Sequence, residues 1–121
     1  MENFTKLISY LMHSRTQAHV YHLQTPSFAA HMALNTYYTG IVDIIDGLVE
    51  SYQGKYGILT GYSSPPLMEY QSCEAIQAYF KALSITISQC RQDIPDSYIQ
   101  NQIDTVEELI VSTLYKLKFL Q

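Results

Sequence analysis

His19, His31, Asp46 and Glu50 are the residues of this chain whose types and spacing could bind a metal ion. Two imidazoles and two carboxylates suit divalent iron and leave positions open for dioxygen or peroxide. Carboxylates also bridge ions and offset charge as Fe(II) becomes Fe(III). The last three residues lie on one expected helix. With His31 as the zero of angle, Asn35 falls near ~40°, Asp46 near ~60° and Glu50 near ~100° at about 100° per residue. The apolar stripe of the same helix is centred near about −80°. The polar set therefore has its own face, shared with Val42 and Val49. A solvated face would carry Lys and mixed charges, so this one is expected to pack against a second partner.

Distance along the axis sets a condition on the site. His31 and Asp46 are fifteen residues apart, or about 22 Å at ~1.5 Å per residue. Ligand bonds are roughly 2 Å long, so one ion cannot span that gap within a single chain. An antiparallel copy of the helix, related by a two-fold near Tyr38 and Thr39, would bring His31 of one chain to Asp46 and Glu50 of the other. An isologous dimer makes two such sites. His19 lies a short turn before this helix and can join His31 within its own chain.

Four helices must position these groups. Phe4, Leu7, Ile8, Leu11 and Ala18 recur at helical spacing and predict a helix over 2–23. Thr25-Pro26-Ser27 supplies a cap and a Pro at a first helical position, so a second helix is expected over 26–52. Gly54, Gly57, Gly61, Pro65 and Pro66 mark 53–68 as a long loop, unusual between antiparallel helices. Helices over 67–90 and 95–119 follow, separated by Asp93-Ile94-Pro95-Asp96. No strand pattern competes. The expected fold is all-α, a ferritin-like four-helix bundle with a long connection between the second and third helices, in one domain over 1–121.

Composition narrows the classes. Hydrophobic residues make up 47% and charged residues only 15% of the 121, with 11 Tyr and no Trp. So few charges point to a surface partly covered by other subunits. The net charge is −4 and the two Arg and five Lys are scattered, so direct DNA binding is not expected. No apolar run reaches membrane-span length. The start, Met1-Glu2-Asn3-Phe4, lacks the pattern of a signal peptide. Cys73 and Cys90 read as reduced thiols, and a cytoplasmic location is expected.

At these residues the chain resembles the Dps-type mini-ferritins. The stretch from Gln17-Ala18-His19 through Phe28, His31, Asp46 and Glu50 looks like that family's ferroxidase signature. That signature has His, His twelve residues on, Asp fifteen further and Glu four further, and every interval recurs here. The close match covers about 15–52. The family's Asp four residues after the second His is Asn35 here, its Trp after the first His is Val20, and its turn glycine is absent. The resemblance implies a hollow dodecamer built from two-fold dimers. Fe(II) would be oxidised at the dimer interfaces by hydrogen peroxide or dioxygen and stored as ferric mineral, protecting against oxidative stress. It implies His19, His31, Asp46 and Glu50 as catalytic ligands, with Asn35 at the remaining metal position.

Each residue also has an ordinary reading. His19 alone fits a core or interface histidine, and Asp46 with Glu50 fits a solvated acidic strip. No Glu-x-x-His occurs, so a di-iron site inside the bundle is not expected. His13 and His22 are read as surface or interface residues, and Tyr38 as a radical quencher or a packing residue. The alternative function is a non-catalytic ferritin-like oligomer, kept open by the neutral amide of Asn35.

Overall fold

The computed structural model covers residues 1–121 and contains four helices. The first, α1 (Glu2–Gln24), buries Phe4, Leu7, Ile8, Leu11, Ala18 and Tyr21 on one side. It stops because Thr25 precedes Pro26, and a residue before proline is pushed out of the helical region. Thr25 is accordingly extended, with ψ 138°. Ser27 is the true cap of α2 (Phe28–Tyr56), its hydroxyl accepting from Ala30 N–H at 3.2 Å. Pro26 thus lies before the helix rather than in its first turn. At the far end, Gly57 has φ +99°, a conformation that favours glycine, and α2 runs four residues past the expected boundary.

Residues 57–72 contain no helix. The third helix, α3 (Cys73–Cys90), starts at the Ser72 cap and not at 67, because Ser72 Oγ accepts from Ala75 N–H at 3.1 Å. The fourth, α4 (Ser97–Phe119), follows the Asp93–Asp96 punctuation. No helix is long and apolar enough to cross a membrane.

Side-chain links fix the direction of every element. The end of α2 meets the start of α4 where Lys55 and Tyr56 both donate to Asp96. Asn3, at the start of α1, donates to Asp93 at 3.2 Å, so this is one end of the bundle. At the other end, Ser27 Oγ donates to Gln121 at 2.6 Å and Cys73 Sγ to Leu117 O at 3.5 Å. So α1 runs up, α2 down, α3 down and α4 up. The parallel pair α2 and α3 requires a connection that climbs the whole bundle. Segment 57–72 does this along α1. Ser63 N–H donates to Ser9 Oγ, His13 Nε2 to Pro66 O, and Met68 N–H to Gln17 Oε1 at 3.1, 3.2 and 2.7 Å. Gln17 returns a bond from Nε2 to Met68 O at 2.8 Å, and Tyr70 N–H donates to Gln24 at 2.7 Å. A polar ladder on α1 thus satisfies the backbone of an irregular strap that would otherwise lack partners.

In cross-section the helices form a four-membered ring. α1 packs on α2 and α3, α4 packs on α2 and α3, and the α1/α4 and α2/α3 pairs face each other across the core. The core is mainly Ile and Leu with Tyr37 and Phe80 at its centre, edge to face at 4.8 Å. The phenol of Tyr37 is fully buried. It donates to Ser14 Oγ at 2.7 Å, since the proton of Ser14 goes to Leu11 O.

Candidate metal centre

The short turn between α1 and α2 places His22 and His31 opposite each other. Their rings stack with centroids 3.6 Å apart and 20° between planes. Each Nδ1 lies on the other residue's backbone carbonyl: His22 Nδ1 is 2.7 Å from His31 O, and His31 Nδ1 is 2.9 Å from His22 O. A carbonyl only accepts, so both Nδ1 atoms carry the proton. In the neutral rings the lone pair is then at Nε2. A carbonyl bond at Nδ1 fixes the tautomer and ring orientation and leaves Nε2 free to bind, an arrangement common among metal-ligating histidines.

His19 sits beside this pair. It is exposed and stacks on Tyr38 at 4.2 Å, and its ring is 5.9 Å from that of His22. Tyr38 is edge-on to His22 at 5.2 Å and donates its hydroxyl to Asn35 Oδ1 at 2.9 Å. The amide oxygen of Asn35 is therefore engaged within the chain. Tyr38 thus links His19 to Asn35, and His22 lies between His19 and His31.

Asp46 and Glu50 do not join them. Both are exposed on α2, and Val42 and Val49 on the same face are half-buried. The chain's two side-chain ion pairs, Lys55–Asp96 and Arg91–Asp104, involve neither carboxylate. About 22 Å of helix separates Asp46 from His31 at ~1.5 Å per residue. Within one chain no three His, Cys, Asp or Glu side chains are arranged to hold a metal ion. His22 stacks on His31 and His19 on Tyr38, so the three imidazoles form an aromatic cluster rather than a cage.

Two histidines expected at the surface or at an interface are buried within the chain. His22 is 8% exposed and His13 is 5% exposed. His22 is covered because the α1–α2 turn folds it against His31. Residues 22 and 31 lie four and five positions from Pro26 at the middle of that turn, a near-symmetry the sequence does carry. His13 is covered by the strap, with Nε2 on Pro66 O and Nδ1 2.8 Å from the Tyr79 hydroxyl. Nothing local in the sequence pairs residue 13 with 66 or 79.

No curated protein and no solved structure matches this chain. A family model does match, over residues 22–117, a stretch that includes His22, His31, Asn35, Asp46 and Glu50 but not His19. The chain belongs to that family, described as a family of unknown function (DUF5856).

Proposed function

We propose that this chain is a ferritin-like protein of the mini-ferritin kind, which oxidises Fe(II) at sites shared between two copies and stores ferric iron in a hollow oligomer, a dodecamer of two-fold dimers. One observation carries the reading. His31 and His19 stand at one end of the outer α1–α2 face, with the His31 lone pair freed at Nε2 by the bond from Nδ1 to a carbonyl, while Asp46 and Glu50 stand unpaired at the other end. An antiparallel copy of α2 superposes one end on the other. Phe28, 76% exposed, and Met32, 48% exposed, supply apolar contact area beside the imidazoles. The up-down-down-up order with a single crossover is also the arrangement of ferritin-like bundles.

In this reading iron is the substrate. His19 and His31 of one chain bind Fe(II) with Asp46 and Glu50 of the partner subunit. Two Fe(II) ions give one electron each to a peroxide, which leaves as water after taking up protons. The carboxylates offset the charge gained by the metal. Adding Fe(II) with hydrogen peroxide to the assembled protein is expected to give ferric species quickly, and His31→Ala and Asp46→Ala should each abolish this. Unchanged oxidation in both variants would overturn the site.

The bond between Tyr38 and Asn35 favours a second reading, a non-catalytic oligomer. A neutral amide already engaged within its own chain is a poor substitute for a bridging carboxylate. Anaerobic Fe(II) titration separates the two: the first requires saturable binding, the second none.

A further inference from the structure

Four tyrosines have a defined acceptor for the phenol proton. Tyr37 donates to Ser14, whose own proton is committed to Leu11 O, and Tyr38 donates to the amide oxygen of Asn35. Neither acceptor is a base. Tyr56 donates to Asp96, but Lys55 holds that carboxyl below the usual range, so it is a poor base as well. Tyr79 differs from all three. Its hydroxyl is 2.8 Å from His13 Nδ1, and His13 Nε2 is 3.2 Å from Pro66 O. In the neutral ring the carbonyl takes the proton at Nε2, so Nδ1 holds a lone pair and the phenol donates to it. The proton of Tyr79 thus already points at a buried neutral base within transfer distance.

We propose that Tyr79 and His13 form a proton-coupled redox site, in which Tyr79 yields one electron to an oxidant as its proton passes to His13. The O–H bond of Tyr79 breaks, the N–H bond at His13 Nδ1 forms, and the electron reduces a one-electron oxidant. The products are a neutral phenoxyl radical and an imidazolium. Both N–H groups of that imidazolium keep their partners, the Tyr79 oxygen and Pro66 O. Burial pushes the Tyr79 phenol far above its usual range, which disfavours loss of the proton to water before the electron leaves, and the His13 lone pair 2.8 Å away gives that proton a place to go as the electron departs. Other aromatic rings adjoin Tyr79. Tyr79 is edge-on to Tyr21 at 6.1 Å and to Phe80 at 5.5 Å, and Phe80 meets Tyr37 at 4.8 Å. Tyr21 and Tyr37 immediately precede His22 and Tyr38 in the chain. The identity of the natural oxidant rests on the iron–peroxide reading above: stray oxidising equivalents from that site would be trapped at Tyr79.

The test needs no iron, so its outcome is separate from the fate of that reading. Metal-free protein is photo-oxidised with tris(bipyridine)ruthenium and persulfate, frozen within milliseconds, and its tyrosyl signal read by electron paramagnetic resonance. A several-fold loss of the early signal is expected in Tyr79→Phe and in His13→Gln, with the wild-type signal retained in Tyr37→Phe. Full signal in Tyr79→Phe or in His13→Gln overturns the proposal. Should those two variants fail to fold, the wild-type protein decides: radical formation must slow in deuterium oxide, and equal rates in the two solvents overturn it.

Discussion

Gln17 offers the sharpest perturbation of the strap. It is fully buried, and its amide both accepts from Met68 N–H at 2.7 Å and donates to Met68 O at 2.8 Å. Gln17→Ala removes two hydrogen bonds, each worth about 0.5–1.5 kcal/mol net. It also leaves two backbone groups without partners, at about 1–3 kcal/mol each if water cannot reach them. Met68 is 45% exposed on the outer strap, so water can replace the lost amide there and the cost of the two bonds alone applies. The expected loss is about 1–3 kcal/mol, which at a slope near ~2 kcal/mol per M lowers the urea midpoint by about 0.5–1.5 M. Urea unfolding followed by far-ultraviolet circular dichroism reads this directly. Limited proteolysis should also find cleavage between 57 and 72 accelerated. A loss below about 0.5 kcal/mol, the range of ordinary surface changes, would refute the view that α1 holds the strap through its polar ladder.

Three further outcomes are expected. Lys55 and Tyr56 hold the Asp96 carboxyl below its usual range. Its contribution is therefore present above the unfolded-state value and lost as pH falls through the lower folded one. Thermal midpoints should drop on acidification below about pH 4, and Asp96→Asn should lower the neutral-pH midpoint and flatten that drop; parallel curves for the two proteins would contradict it. Ser72→Ala removes the α3 cap and should cost about 1 kcal/mol by chemical denaturation, whereas an unchanged midpoint would place the start of α3 elsewhere. Asn35→Asp places a carboxylate one helical turn after His31 and, under the proposed reading, should raise the number of Fe(II) ions bound per chain in anaerobic titration. The same stoichiometry in both proteins would detach Asn35 from the site.

Much of the architecture is legible in the apolar periodicity, because Leu34, Tyr37, Ile41, Ile45 and Leu48 leave α2 only one way to face a core. Helix ends are less legible. Proline marked 65–66 as a break, yet the turn chemistry that starts α3 belongs to Ser72, and nothing before the fold exists tells one cap candidate from another. The strap was visible only as a loop. Ser9, His13 and Gln17 recur every four residues beside the apolar stripe of α1, a polar row whose partners are backbone groups more than fifty residues away. Sequence spacing cannot name such partners. The candidate site divides in the same way. Helical arithmetic placed His31, Asn35, Asp46 and Glu50 on one face, and α2 keeps that order. The role of His22 depends on the turn bringing two carbonyls within reach of two rings, a fact of tertiary geometry.

The central claim is that one copy's imidazoles meet another copy's carboxylates. Anomalous scattering at the iron edge, from crystals of the assembled protein soaked in Fe(II), tests it most directly. The account predicts a peak bonded to His31 of one chain and to Asp46 of the partner subunit, on an interface related by a two-fold near Tyr38 and Thr39. Crystals in which α2 makes no two-fold contact, or in which iron binds away from His31, would contradict it.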